Sequence, residues 1–146
     1  MQSLGSQDNT TNAWQFTRFV YDSENHLRYS ISAEGHVTEF EYDAYGRQTY
    51  TKTYPDQAYA IGSAIPTLSQ VNSWVSGLTD KTEFNITRNI YTAQGQIART
   101  LSYGTAHATG SQSSAEGFSD LRFTYDSAGR LSVSYTHLTL PTICSV

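Results

Sequence analysis

The chain is poor in cysteine, charge and long apolar runs, and each shortage removes a class of protein. Cys144 is the only cysteine among 146 residues, so an intrachain disulfide framework is excluded. Charged residues make up only 15% and the net charge is −4, so no basic stripe exists that would displace counterions from nucleic acid. No apolar run approaches the roughly 20 residues needed to cross a bilayer. We therefore expect no nucleic-acid partner and no membrane span.

The short motifs that carry chemistry in common enzymes are also missing. The sequence has no Gly-x-x-x-x-Gly-Lys, Gly-x-Ser-x-Gly or His-Glu-x-x-His stretch. The histidines at positions 26, 36 and 107 lack the spacing of zinc ligands, and no Asp-x-Asp-x-Asp run supplies the oxygens that calcium prefers. We expect the chain not to be an enzyme and to have no catalytic residue, cofactor or metal.

Tyrosine is what the chain has in abundance, with 11 copies. A tyrosine buries its ring while keeping its hydroxyl in water, which suits a thin sheet with one solvated face. The N-terminal stretch has no basic segment followed by an apolar one, so it does not resemble a signal peptide. We expect residues 1–15 to be disordered or a linker, and the chain to be an interior piece of a longer reading frame.

A phrase of tyrosine, aspartate and glycine recurs four times, at "YDSENHLRYSI", "YDAYGRQTYTK", "YTAQGQIARTL" and "YDSAGRLSVS". The first copy has Asn25 at the glycine position, which fits because asparagine tolerates positive φ best after glycine. The third copy has Thr92 in place of aspartate, and threonine bonds to the local backbone more weakly. The residues that we expect to form the structural repeat are Tyr21, Asp22, Asn25, Tyr42, Asp43, Gly46, Arg47, Tyr91, Gly95, Tyr125, Asp126, Gly129 and Arg130.

Each copy of the phrase predicts a β-hairpin. The segments before the tyrosines alternate apolar with polar residues, the period of a half-buried strand, with Phe40 and Tyr42 on one face and Glu39 and Glu41 on the other. Aspartate then opens the turn and glycine supplies a left-handed conformation near its end. A second turn around Gly35 joins the first two copies. Residues 16–54 therefore predict a four-stranded antiparallel meander, and the fold class is mainly β.

Two segments interrupt the hairpins of residues 16–54 and 88–131. In the insert at 55–87, five apolar residues share one helical face, and they predict a short helix at about 67–77 that lies on the sheet: Leu68, Val71, Trp74, Val75 and Leu78. Pro66 and Thr67 are its start signals. Residues 104–117 are rich in glycine, serine and alanine, and we expect them to be a flexible loop.

The last fifteen residues differ from all that precede them. They contain no Asp, Glu, Lys or Arg and no copy of the phrase. The stretch "VSYTHLTLPT" at 133–142 resembles the read-through of a transposase-type sequencing adapter; the alternative is a genuine edge strand rich in threonine and leucine. We expect residues 132–146 to be foreign, an artefact, and we therefore do not join His137 and Cys144 into a catalytic dyad.

The repeated phrase resembles the YD repeat of RHS-repeat proteins. The resemblance rests on "YDAYGRQ" at 42–48, "YDSAGRL" at 125–131 and "EGHVTEFEYD" at 34–43, and it covers about residues 16–54, 86–102 and 119–131. It implies a strip of hairpins that spirals into a hollow shell, in a large bacterial protein that is secreted or displayed at the cell surface. It also implies neighbouring repeats of the same chain as partners, with an encapsulated toxin domain as cargo. The aspartate-based self-cleavage stretch of toxin members is missing here.

The repeat residues leave functional alternatives open. The aspartates would serve catalysis only if two converged on one pocket, and turn capping is the structural alternative. Arg47 and Arg130 would either bind an anionic ligand or reach across the adjacent strand toward a carboxylate. The aromatic rings would either stack on a host glycan or pack between strands, and Trp74 would either anchor a partner or cover the sheet. We expect a structural shell segment, with a module that binds carbohydrate or a host surface as the alternative.

Overall fold

The computed structural model describes residues 5–7, 14–79, 84–104 and 118–139. Most of the predicted linker at 1–15, nearly all of the predicted loop at 104–117 and the last seven residues lie outside these ranges. The predicted mainly β fold with one inserted helix is confirmed, because the described residues form one large antiparallel sheet, one two-stranded sheet and one helix.

Ten strands make up the two sheets. The small sheet pairs β1 (Gly5–Gln7) with β2 (Trp14–Phe16). The large sheet contains β3 (Arg18–Tyr21), β4 (Leu27–Ile31), β5 (Val37–Tyr42), β6 (Gln48–Tyr54), β7 (Asn85–Tyr91), β8 (Ile97–Tyr103), β9 (Phe118–Tyr125) and β10 (Leu131–Thr139). These eight strands lie side by side in chain order, so each strand pairs only with its neighbours in sequence. The result is an uninterrupted antiparallel meander.

The insert does not break the meander. Strands β6 and β7 are separated by thirty residues of sequence, but they pair directly, with Tyr50 opposite Arg88 and Lys52 opposite Ile86. The helix α1 (Leu68–Gly77) lies within this connection. Thr67 caps its N-terminus and shares a capping box with Gln70, which satisfies two of the first-turn N–H groups. Among the described residues, no helix is long and apolar enough to cross a membrane.

Helix α1 packs on the apolar part of the sheet through the face that its sequence predicts. Val71 and Leu78 are buried, and Trp74 contacts the rings of Tyr54 and Tyr59 edge-on, with centroids 6.2 and 5.7 Å apart. Trp74 therefore covers the sheet within the chain. The core beneath it comes from alternate residues of six strands: Val20, Tyr29, Ile31, Val37, Tyr54, Ile86, Leu101 and Tyr103.

Strand β5 turns its glutamate-bearing face toward the core. The alternation of the sequence separates Phe40 and Tyr42 from Glu39 and Glu41, and Val37 and Glu39 are the buried residues, with Glu39 only 8% exposed. Phe40 and Tyr42 are partly exposed on the other face. The carboxylate is accepted inside because two buried tyrosine hydroxyls donate to it, which offsets the cost of its desolvation.

Candidate functional site: the motif turns and the junctions between hairpins

The four turns that follow Tyr21, Tyr42, Tyr91 and Tyr125, here called the motif turns, all lie at one end of the large sheet. In each turn, the residue after the tyrosine accepts a bond from the N–H three residues ahead and donates its own N–H to the carbonyl four residues ahead. The residue in the fourth place after the tyrosine takes a positive φ: Asn25 (65°), Gly46 (74°), Gly95 (84°) and Gly129 (75°). This is a type I turn closed by a left-handed residue, a common three-residue hairpin connection.

The carboxylates of the motif aspartates are hydrogen-bonded within their own turns. Oδ1 of Asp43 accepts the N–H groups of Tyr45 and Arg47 at 2.9 and 3.0 Å, and Asp22 and Asp126 repeat this pattern. Backbone donors hold the pKa of Asp22 and Asp126 below the usual range, and the side-chain bond from Arg47 is the largest cause of the same shift at Asp43. Each carboxylate serves its own turn, and the aspartates do not converge on a shared pocket.

The two motif arginines pair within their own turns. Arg47 Nε lies 2.7 Å from Oδ2 of Asp43, and Arg130 Nε lies 2.9 Å from Oδ2 of Asp126. The arginines therefore pair with a carboxylate, as one of the two alternatives predicts, but the carboxylate belongs to their own turn and not to the adjacent strand. The reason is local: the backbone amides occupy Oδ1, and the second oxygen of the same aspartate faces the side chain four residues later.

The third turn is weaker than the others. Thr92 Oγ1 accepts a single N–H, from Gln96 at 3.2 Å, where the aspartates accept two. The turn at the opposite end of the sheet, between β4 and β5, uses the same geometry with serine: Ser32 Oγ accepts the N–H of His36, and Gly35 takes a φ of 91°. The aspartate position is therefore a local acceptor for turn amides, which serine and threonine fill less completely.

Each motif tyrosine after the first ties its hairpin to the preceding one. The hydroxyl donates to the main-chain oxygen of the sixth residue after the previous motif tyrosine, and this happens three times: Tyr42 to Leu27 at 2.9 Å, Tyr91 to Gln48 at 2.7 Å and Tyr125 to Ile97 at 2.8 Å. The position of the tyrosines in the phrase predicts packing between strands but not this bond. The bond is a property of the contact between two hairpins, which a single copy of the phrase does not reveal.

The side chain next to the positive-φ residue covers the following turn. The His26 ring stacks on the Tyr42 ring with centroids 4.7 Å apart, and the Arg47 guanidinium lies 4.7 Å from the centre of the Tyr91 ring. Gln96 instead donates its Nε2 to the carbonyl of Gly129 at 2.6 Å. His26 is therefore a packing residue between hairpins, whereas its place in a turn predicts a solvated side chain. His36 is exposed beside Glu34, and His107 lies outside the described residues.

The strand pairing between successive hairpins, here called a junction, has one register. At the β4–β5, β6–β7 and β8–β9 junctions, the eighth residue after one motif tyrosine pairs with the third residue before the next: Tyr29 with Glu39, Tyr50 with Arg88 and Arg99 with Arg122. The distances between the copies in sequence differ widely, but the extra residues lie outside the strands. The geometry of the junction is therefore independent of the length of the connection.

Two carboxylates are buried on the core face among the described residues, Glu39 and Asp120, and no sequence pattern predicts their burial. Tyr29 and Tyr54 donate to the two oxygens of Glu39, and the Arg28 guanidinium lies 3.9 Å from it. Burial, followed by the charge of Glu39, raises the pKa of both phenols well above the usual range. The Tyr29 hydroxyl also lies 2.7 Å from Oδ1 of Asn72, so helix α1 joins this cluster.

Asp120 is the second buried carboxylate, and two arginines hold it. Arg99 binds it in a bidentate manner at 3.1 and 2.9 Å, and Arg122 approaches Oδ2 at 2.7 and 2.8 Å. The bond from Arg99 is the largest cause that lowers the pKa of Asp120, and Asp120 in turn raises the pKa of Arg122. The contact from Arg99 crosses the β8–β9 junction, whereas Arg122 reaches Asp120 along the same strand, β9. The sequence offers no local signal for them.

The fold and its turns define a β-meander of repeated hairpins. Within the part of the chain that the structure describes, no three His, Cys, Asp or Glu side chains are placed to hold a metal ion. No protein-family model matches the chain, and no curated protein matches it.

Proposed function

We propose that the chain is a structural segment in the wall of a β-repeat shell, part of a large secreted or surface protein of the RHS or YD-repeat type, with no catalysis of its own. The observation that supports this most strongly is the repeated bond from a motif tyrosine to the preceding hairpin. It uses the most recognisable residue of the phrase to join one repeat to the next. A residue that serves assembly in three successive copies is best explained by scaffolding.

The bonds that the other motif residues make within their turns support the same proposal. The aspartates accept turn amides, Arg47 and Arg130 neutralise them, and the positive-φ residues close the turns. A catalytic carboxylate needs a separated pKa and a substrate within reach, and these carboxylates have lowered pKa values and are already bonded. The partners that follow from this role are neighbouring repeats of the same full-length chain, and an enclosed toxin domain is the cargo that the resemblance implies.

Electron microscopy of the protein encoded by the uninterrupted source reading frame tests this role. We expect further hairpins to continue the sheet on both sides, with each motif tyrosine bonded to the preceding hairpin, as part of a wall around an interior space. A compact domain whose motif aspartates face a shared substrate pocket would overturn the proposal. The same reading frame also shows whether residues 132–146 belong to the protein.

A second candidate, a module that binds a host glycan, is favoured by one groove. An open cavity of about 680 Å³ lies between the third and fourth motif turns, and its lining includes Gln94, Phe123 and Tyr125. Aromatic rings beside amide groups are suited to the apolar faces and hydroxyls of a sugar. A glycan array with the chain and with Phe123→Ala tests this function. Binding that the variant loses would favour it, and an array without binding would count against it.

A further inference from the structure

Each of the two edges of the large sheet carries the residues of one half of a junction. Among the strands that the structure describes, β3 forms one edge and β10 the other. Four of the seven large hydrophobic side chains that are exposed among the described residues lie on these two strands: Tyr21 at 39%, Leu131 at 55%, Val133 at 51% and Tyr135 at 49%. Unpaired strand edges with exposed apolar side chains are surfaces on which another strand adds readily.

The two edges carry complementary halves of the contact that joins the hairpins. Among the described residues, the Tyr21 hydroxyl makes no hydrogen bond, whereas the other three motif tyrosines each donate to the preceding hairpin. Leu131 is the sixth residue after the last motif tyrosine, the place whose carbonyl accepts that bond in the first three copies. Arg130, at the place of His26 and Arg47, is 80% exposed and has no following turn to cover.

The constant register fixes how the two halves would meet. In all three junctions, the eighth residue after one motif tyrosine pairs with the third before the next. Applied to the free edges, this rule places Val133 of one copy opposite Arg18 of another and brings the Tyr21 hydroxyl to the Leu131 carbonyl. The paired strands would be β10 and β3, a second strand of a hairpin and a first strand, as in every junction that the structure contains.

We propose that this chain associates head to tail with a second copy of itself, β10 of one copy pairing with β3 of the next in the register of the internal junctions. This inference rests on the proposed wall-forming role, since it extends the same junction between molecules. Strand β10 includes residues that we expect to be foreign, and in this 146-residue chain they form the edge. They carry no Asp, Glu, Lys, Arg or Pro between Leu131 and Thr139, so the edge lacks the usual protection against pairing.

The internal junctions favour this arrangement over the pairing of two β10 strands, because each of them joins the second strand of one hairpin to the first strand of the next. Pairing of identical edges is a two-fold contact and ends at a dimer, whereas a contact between two different edges leaves one free edge of each kind and continues to longer chains. Sedimentation velocity over a range of concentrations separates these outcomes. We expect a mass that rises past the dimer of the 16.2 kDa chain. A constant monomer mass, or a plateau at the dimer, would overturn the proposal.

A pair of charge variants at one position tests the register. In Val133→Lys, the new ammonium faces Arg18 of the next copy, and like charges directly opposite on paired strands repel. We expect the association constant to fall by about fivefold at low salt. In Val133→Glu, the carboxylate faces the same arginine, and we expect association to be retained or strengthened. Equal losses in both variants would contradict the register, because both place a charge at the same exposed site.

Disulfide trapping between engineered cysteines tests the contact between β10 and β3 directly. In a Cys144→Ser background, chains carrying Val133→Cys are mixed with chains carrying Arg18→Cys and oxidised gently. Paired residues across an antiparallel junction have Cα atoms about 5 Å apart, within the range of a disulfide. We expect the mixed dimer to dominate. Predominance of the Val133→Cys homodimer would show pairing between two β10 edges and would overturn the proposal.

The failure of this inference is distinguishable from the failure of the proposed function. A chain that stays monomeric, but continues as a wall of hairpins in the full reading frame, loses only the association between copies. A full-length structure without a wall would remove the proposed function, even if the short chain formed polymers. Circular dichroism of each variant checks that loss of association is not loss of folding.

Discussion

The Tyr42 hydroxyl donates a hydrogen bond to the main-chain oxygen of Leu27 at 2.9 Å, while its ring stacks on His26 of the same preceding hairpin. One side chain therefore holds a neighbouring repeat through a polar and an apolar contact at once. Burial raises the pKa of the Tyr42 phenol, so the hydroxyl keeps its proton at neutral pH and remains a donor.

Removing only this hydroxyl should loosen the first junction. We expect Tyr42→Phe to lower the free energy of unfolding by about 1 kcal/mol, since it removes one net hydrogen bond and leaves the Leu27 carbonyl without this donor. Urea unfolding measures the difference. Tyr45→Phe is the matched control, because Tyr45 is 84% exposed at the tip of the same turn. An equal effect of the two variants would show that the bond to Leu27 contributes nothing.

Replacing glycine by alanine should change the stability differently at two glycines that differ in backbone geometry. Gly46 has a φ of 74°, and a Cβ there would lie 3.1 Å from Nε2 of His26, whereas a Cβ on Gly77 at the end of helix α1 meets nothing within 4 Å. We expect Gly46→Ala to cost about 1–2 kcal/mol and Gly77→Ala to be neutral or stabilising by up to about 1 kcal/mol. Thermal unfolding of both variants measures this. Gly46→Asn should lie between wild type and Gly46→Ala, because Asn25 fills that place in the first turn.

Acid should unfold the motif turns through their aspartates. The pKa values of Asp22, Asp43 and Asp126 are lowered in the folded chain, so the unfolded chain binds protons first as the pH falls. Their contribution is complete above the ordinary aspartate pKa of about 3.9 and is lost as the pH falls through the lower folded values. Thermal midpoints measured from neutral pH down to strong acid should drop in that window. In Asp43→Asn the midpoint should start lower and fall less steeply, and an unchanged slope would contradict this account.

The two glutamates of strand β5 should respond differently to the loss of charge. In Glu39→Gln an amide nitrogen faces one of the two donors, Tyr29 or Tyr54, so we expect a loss of about 1–3 kcal/mol from a buried group without its partner. Glu41 pairs with Lys52 near the surface, and Glu41→Gln should cost at most about 1 kcal/mol. Urea unfolding of both variants at neutral pH compares them. A larger loss in Glu41→Gln would contradict the assignment of the buried cluster.

Restoring the aspartate of the motif should stabilise the third turn. Thr92 accepts one turn amide where Asp43 accepts two, so Thr92→Asp supplies the missing acceptor. We expect a gain of about 0.5–1 kcal/mol, the net value of one hydrogen bond. Hydrogen exchange at the amide two residues after position 92 reads the new bond, and this amide should become more protected. Unchanged exchange there would show that the turn does not accept the substitution.

The hairpins were predictable because their signals are local. An aspartate that accepts N–H groups two and four residues ahead, and a glycine at a positive φ, act within one turn, so "YDAYGRQ" contains nearly all the information for its own geometry. The helix was predictable for the same reason, since Thr67 and Gln70 form its capping box and the apolar spacing marks its buried face. These signals do not depend on how the chain continues.

The junctions and the buried carboxylates were not predictable in the same way. The bond from Tyr91 to Gln48 joins residues on either side of the insert, and the sequence gives no measure of how that insert returns. Glu39 is accepted in the core because the hydroxyls of Tyr29 and Tyr54 donate to it from two other strands, and Asn72 of helix α1 contacts the Tyr29 hydroxyl in turn. Alternation in "VTEFEY" therefore separates the two faces of the strand without showing which one is buried, because the partners that hold Glu39 in the core lie elsewhere in the sequence.

The direct pairing of β6 with β7 across the insert means that one rim of this sheet already accommodates a long addition. The motif turns sit at the other rim, each locked to the next, whereas a helix and its flanking segments are already accommodated at the opposite rim without any change in strand alignment. A guest peptide or a small folded module grafted between Ser63 and Ala64, which are exposed within the insert, would enter on that side of the sheet. The turn at Gly35 on the same side is a poor choice, because Gly35 is buried and its carbonyl accepts the N–H of Tyr59.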